Sequence, residues 1–178
     1  YSEWALSDYA VAPLDSEGRF GGNDPLVSSC QDCHMPKTAG YAALEGLGAH
    51  YRSDLATHGF NGANTWVRQA VRSLFPDTET GLSDGAIAAA EARTLDMHEN
   101  AAELWAFPRA GQLIVRAVNR TGHKLPTGFV EGRRMWLHVS FFDAQGALIE
   151  EHGEYDTANA ELETADTKVY VDSADAGT

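Results

Sequence analysis

An α+β fold is expected for this chain, on three observations. A long helical period runs through its middle, it gives way to strict two-residue alternation after Gly111, and clusters of Gly, Pro, Asp and Ser punctuate both parts. The helical period is clearest from Ser83, a good N-cap, to Phe107, with Pro108 as the stop. Within it Ile87, Ala90, Thr94, Met97, Ala101 and Leu104 recur on one face. After Gly111, QLIVRAV and MWLHVSFF alternate, and Met135, Leu137, Val139 and Phe141 form an apolar stripe. The expected organisation is a mostly helical and loop domain over residues 1–110, followed by an antiparallel β unit over 111–178. That unit is small, sandwich-like and short of its final strands.

The remaining elements follow in order. Tyr1 to Ser29 shows no sustained apolar period after YSEW and is expected to be mostly loop. Between Tyr41 and Phe75 short helices are expected, the best being GANTWVRQAVRSLF, which Pro76 ends. Asp143 to Gly146 predicts a hairpin turn into the strand ALIE, and KVYV predicts a last strand before a polar tail.

Composition narrows the class of function. The 178 residues carry a net charge of -13, which argues against a nucleic-acid partner because a phosphate backbone would be repelled. From Asp143 onward ten acidic residues face one Lys, a distribution that fits a solvated acidic face. No apolar run approaches the length of a membrane span. The chain begins at Tyr1 rather than Met, as expected of a processed chain or a piece of a longer one.

Both cysteines lie within CQDCH, Cys30 to His34. Thiols three residues apart can each form a thioether with a haem vinyl group, and the adjacent His34 is then held against the iron as proximal ligand. The cofactor expected is therefore one covalently bound haem c per chain. Two rivals share the motif. A zinc site would want a second tightly spaced Cys/His pair, and none is present; a thioredoxin-like dithiol would follow a strand at a helix start, whereas Asp24 to Ser29 is expected to be loop.

The opposite axial position is open among the other histidines and methionines. Met35 adjoins His34, whereas Met97 and Met135 sit on apolar stripes that suit packing. His98 suits helix packing, His138 and His152 suit the surface, and His50 has no special context. His58, between glycines in THGFNGAN, and His123, in the Gly/Pro-punctuated TGHKLPTG, are the candidate distal ligands. Arg133 and Arg134, beside the latter loop, are candidate partners for haem propionates. Phe60, Trp66, Trp105 and Trp136 are candidates to pack on the porphyrin.

CQDCHMP, HGFNGAN and VNRTGHKLPTGFVEGRRMWLHV, with YSEWALSDYA at the start, resemble the C-terminal region of a family of bacterial and archaeal multihaem c-type cytochromes. The resemblance spans nearly the whole chain, and GHKLPTG is its most specific stretch. It implies Cys30 and Cys33 as thioether anchors, His34 as proximal ligand, and His58 and His123 as distal ligands, one of them serving a second haem. It also implies bis-histidine, low-spin iron engaged in periplasmic or extracellular electron transfer. The chain departs from the pattern in having a single haem site and in carrying Tyr9 where the family has a histidine. The function expected is outer-sphere electron transfer as a subunit or fragment of a larger redox assembly. Its expected partners are other redox proteins, haem subunits or further copies in an oligomer or polymer. The alternative is a haem enzyme with an open distal site acting on a small molecule such as peroxide or nitrite, with His58 or Tyr9 as an acid/base group.

Overall fold

The computed structural model describes residues 1–128 and 133–171. The FVEG of the TGHKLPTG stretch and the polar tail after KVYV therefore lie outside the described residues. The architecture is mixed α and β, with short helices and antiparallel two-stranded ladders. The chain divides into two compact units, Tyr1–Gly122 and His123–Thr178.

The first unit opens with two single-turn helices, α1 (Ser2–Ala5) and α2 (Asp8–Val11), in the segment expected to be loop. The short strands β1 (Leu14–Asp15) and β2 (Leu26–Val27) then pair around the buried side chains of Ser16, Phe20 and Val27. Strand β2 falls within residues 24–29, expected to be loop, because its backbone pairs with β1, so α3 (Cys30–His34) follows a short strand after all. Next comes the antiparallel pair β3 (Lys37–Tyr41) and β4 (Tyr51–Ala56). The β3–β4 pair takes the place of one of the expected short helices. Tyr41 and Tyr51, opposite each other on it, meet edge to face at 5.2 Å, a cross-strand aromatic pair of the kind that favours a ladder. The expected helix after GANT forms as α4 (Val67–Leu74), followed by the single turn α5 (Asp77–Thr80).

Helix α6 (Asp84–Ala101) starts where its N-cap predicts, with the Ser83 hydroxyl accepting from the Ala86 amide at 3.2 Å. Of its predicted face, Ile87 and Thr94 are buried. Thr94 also ties α4 to α6, since its hydroxyl donates to the Ala90 carbonyl and accepts from the Arg68 guanidinium, both at 3.0 Å.

The helix ends six residues short of the expected stop. Residues Ala102–Arg109 are instead strand β5, paired along its whole length with β6 (Gln112–Asn119). Ala110 and Gly111, at φ 50 and 79, supply the two left-handed residues of a tight hairpin turn whose twist matches the strands. Leu104 thus leaves the helical stripe for a ladder, and β6 joins the first unit. The division between units accordingly falls after Gly122 rather than at residue 110.

In the second unit β7 (Arg134–Trp136) and β8 (Val139–Phe142) are two strands where one alternating run was expected. The chain breaks at Leu137 because the Leu137 carbonyl is taken by the Thr167 hydroxyl at 2.8 Å. Gly153 also approaches it so closely that a Cβ there would lie 2.5 Å from that oxygen. Strand β8 turns through Asp143–Gly146 into β9 (Leu148–His152), the predicted hairpin, in which the Asp143 carboxylate accepts from the Gln145 and Ala147 amides. Two short strands, β10 (Tyr155–Asp156) and β11 (Glu161–Leu162), pair next. Then β12 (Val169–Val171), the KVYV strand, returns to pair with β7.

The α4–α6 contact rests on a hydroxyl inside a buried position, and it can be tested there. Thr94→Val keeps the shape but leaves the Arg68 guanidinium without its acceptor. It is expected to cost about 1–2 kcal/mol in urea unfolding, and an unchanged midpoint would show that the bond contributes nothing.

Candidate functional site

The site is built on a helix only five residues long, so its geometry depends on how that helix is held. Ser29 caps it, and Asp32, the third residue of the helix, completes a capping box by accepting from the Ser29 amide at 2.9 Å. The same carboxylate oxygen accepts from the Ser28 amide at 3.1 Å and the Ser29 hydroxyl at 2.8 Å. Its other oxygen faces the Lys37 ammonium at 3.3 Å. Burial alone would raise the Asp32 carboxyl. The bonds from Ser29 and Ser28 and the Lys37 charge outweigh it and hold the group below its ordinary value. Lys37 is held in turn by Asp24 at 2.8 Å.

One helical turn separates Cys30 from Cys33, which puts both thiols on one face. Cys30 is exposed and Cys33 half-buried, and both are free thiols. Burial, with Asp32 and Cys30 nearby, pushes the Cys33 thiol up to about 11. This is the opposite of the lowered value that marks a reactive dithiol. Among the described residues no group of three or more His, Cys, Asp or Glu is placed to hold a metal ion.

His34 is the best-defined member of the site. Its Nδ1 makes a hydrogen bond with the backbone carbonyl of Asn61. Since a carbonyl can only accept, Nδ1 carries the proton, and Nε2 is the lone-pair nitrogen of the neutral ring. The Asn61 amide donates back to the His34 carbonyl at 2.9 Å. The Thr57 amide and hydroxyl both donate to the Pro36 carbonyl, at 3.2 and 3.0 Å. The segment Thr57–Asn61 is thus stitched along His34–Pro36 on the Nδ1 side of the ring.

Further contacts hold the motif from the N-terminal side. The Trp4 indole donates to the Ser28 carbonyl at 2.8 Å, and the Tyr9 hydroxyl donates to the Arg120 carbonyl at 2.8 Å. Burial and the neighbouring Cys33 raise the Tyr9 phenol, against Arg19 and Arg120. Tyr9 is thus a hydrogen-bond donor to Arg120 that lies close to Cys33. Gly122 lies against the same pair, where a Cβ would be 3.1 Å from Trp4 and 3.4 Å from Tyr9.

The two distal candidates fall in different units. His58 is exposed, in the Thr57–Asn61 segment, with its ring 5.8 Å from that of Phe60. His123 is the half-buried first residue of the second unit. Its loop contains the cis Leu125–Pro126 bond, and Arg133 donates to the Thr127 carbonyl at 2.9 Å, so that side chain braces the loop. Arg134 is an exposed residue of β7. His138 pairs with Glu151, and His152 lies between Asp166 at 2.7 Å and Glu150 at 3.1 Å, so both expected surface histidines are tied to carboxylates. Of the aromatic candidates, Phe60, Trp66 and Trp105 are 68%, 66% and 59% exposed. Trp136 donates to the Gly153 carbonyl and packs on Tyr155 within the second unit.

Three residues at the site carry no signature of the C-x-x-C-H motif itself: Asp32, Asn61 and Arg93. The Ser29-x-x-Asp32 spacing is a legible capping signal. Asn61 acts through its backbone, which no residue type announces. Arg93 reaches it from α6 only in the folded chain, donating to the Asn61 side chain at 3.1 Å.

No protein-family model matches this chain, and neither a curated protein nor a solved structure matches it.

The Asp32 network sets a pH dependence. A carboxyl whose folded value is depressed stabilises the fold above its unfolded value, about 3.9, and that contribution is lost as the pH falls through the folded value. Acid unfolding of the wild type should therefore steepen below about pH 3.9 relative to Asp32→Asn, which is itself expected to be less stable at pH 7 by about 1 kcal/mol. Parallel curves for the two proteins would show that the box does not hold the helix.

Proposed function

We propose that this chain is a c-type cytochrome, with one haem attached through Cys30 and Cys33 and bound axially by His34, and that it transfers electrons. The observation that carries this reading is the hydrogen bond from His34 Nδ1 to the Asn61 carbonyl. A histidine that ligates iron needs its other ring nitrogen fixed by an acceptor, and that acceptor sets both the tautomer and the orientation of the ring. Such a group supplies one-electron exchange between ferric and ferrous iron.

The rest of the site fits. The two thiols share a face of one helical turn beside the imidazole, and burial holds the Cys33 thiol above its ordinary value, unlike that of a reactive dithiol. Among the described residues the buried apolar side chains are Phe20, Val27 and Ile87, while Phe60 and Trp66, in and just after the segment that clasps His34, are largely exposed. A flat apolar group is the kind of ligand that such uncovered aromatic surface accommodates.

The distal ligand is His123 or His58, the other serving a second haem. Against His58 stands the binding of its segment along the Nδ1 side of His34, the side turned away from Nε2. With histidines on both faces no site would be left for a small molecule, which favours electron transfer over catalysis. Among the described residues no helix is long and apolar enough to cross a membrane. The net charge of -13 suits basic redox partners and not nucleic acid; association with haem subunits or further copies, and a place outside the cytoplasmic membrane, follow from the haem reading and not from the charge.

Expression with the c-type maturation machinery tests the cofactor. The chain should gain the mass of one haem, retained on denaturation, and Cys30→Ser with Cys33→Ser should abolish it; a chain that remains unmodified refutes the reading. The optical spectrum tests the ligation. The ferric protein should be low-spin without a methionine-to-iron band. Either His123→Ala or His58→Ala alone should convert it to high spin. If neither does, both ligand assignments fail, and a wild-type high-spin spectrum that shifts with cyanide or nitrite would favour an enzyme.

A further inference from the structure

The hydrogen bond that orients His34 is itself held in place by side chains that lie outside the motif. Asn61 uses its backbone twice, accepting from His34 Nδ1 and donating to the His34 carbonyl. Its side chain points the other way, and its oxygen accepts from Arg93 Nε at 3.1 Å. Arg93 belongs to the middle of α6, the longest helix described, and its neighbour Thr94 is buried and bonded to Arg68 of α4. The third member is Gly59. A Cβ at that position would lie 2.9 Å from the Asn61 side-chain oxygen and 3.5 Å from Arg93 Nε, so only glycine leaves room for the bond. Phe60, between them, adopts φ 45, a left-handed conformation uncommon for a bulky residue. The turn Gly59–Phe60–Asn61 is thus folded tightly against Arg93 on one side and His34 on the other.

We propose that Asn61 is a positioning residue for the His34 imidazole, and that Arg93, locking the Asn61 side chain to helix α6, fixes the carbonyl that sets the ring's tautomer and donor strength. The redox consequence rests on the haem reading; the tautomer consequence does not. A fixed Nδ1–H···O=C bond gives the imidazole more electron density to donate at Nε2, which stabilises ferric over ferrous iron. Loosening the carbonyl weakens that donation and raises the reduction potential. Arg93→Lys isolates geometry from charge, because it keeps the cation and loses the planar Nε–H. Asn61→Ala keeps the carbonyl and loses the lock, and Gly59→Ala keeps both partners and crowds them apart.

Nitrogen NMR of His34 and the reduction potential are measured in the full-length wild type and the three variants. If the chain carries haem, all three variants should raise the potential by a threefold to tenfold change in the redox equilibrium, tenfold being about 59 mV. Asn61→Ala combined with Arg93→Lys should add little to either alone, since both act on one carbonyl. The His34 Nδ1 proton should exchange with solvent faster in each. If the chain carries no haem, neutral His34 should hold its proton on Nδ1 in the wild type and shift toward Nε2 in the variants. In that case the haem reading fails and the positioning role stands. Haem attached with unmoved potential and exchange, or with additive shifts, would overturn the positioning role and leave the haem reading intact; no haem and a wild-type ring protonated on Nε2 would overturn both. Should Asn61→Ala fail to fold, Gly59→Ala and Arg93→Lys decide by the same measurements.

Discussion

The bond from His34 Nδ1 to the Asn61 carbonyl is the constraint on which the rest of the site depends. A helix of five residues has almost no stability of its own, because nucleating a turn costs more than its few hydrogen bonds return. Left alone, CQDCH would sample many conformations. Here the turn is closed at its start by the Ser29–Asp32 capping box and at its end by Asn61, which grips both the imidazole and the carbonyl of His34. The two closures act on opposite ends of the helix, and between them they present two thiols and a ring nitrogen with defined orientation.

The structure around that turn is mostly polar stitching rather than apolar packing. Asp32 and Asp24 share Lys37, Glu103 joins Arg19 and Arg120, and Trp4 and Tyr9 each donate to a backbone carbonyl. Charge pairs on exposed side chains contribute little each. Among the described residues the buried apolar side chains are Phe20, Val27 and Ile87, while Trp66, Phe60 and Trp105 are exposed. Covering such aromatic residues with something apolar would stabilise the fold.

The hairpin of β5 and β6 shows how tertiary pairing overrides local pattern. The run from Ser83 to Phe107 carries helical spacing, and its first eighteen residues from Asp84 are helix. Leu104, Trp105 and Phe107 favour a pleated ladder, and a partner is available because Ala110 and Gly111 can both take positive φ. Pro108 sits in that strand opposite Leu113. Expected to end a helix, Pro108 instead lies within the strand, which continues to Arg109 and turns at Ala110 and Gly111. The break between β7 and β8 has the same origin, since the MWLHVSFF alternation is continuous and only Thr167 and Gly153, far along the chain, interrupt it.

By itself the sequence determined the mixed class, the cap and start of α6 and the hairpin turn at Asp143–Gly146, because each is a local matter of spacing within a few residues. Its resemblance to multihaem cytochromes supplied His58 and His123 as candidates but not their separate roles. Tertiary structure alone decided that His58 lies in the segment bound to the Nδ1 side of His34, that Arg133 braces its own loop, and that Tyr9 donates to Arg120. It also brought Asn61 and Arg93 to the motif. Residues 34, 61 and 93 have no common period, and the contact that joins them runs through a backbone carbonyl, a group every residue possesses and whose direction only the folded chain can set.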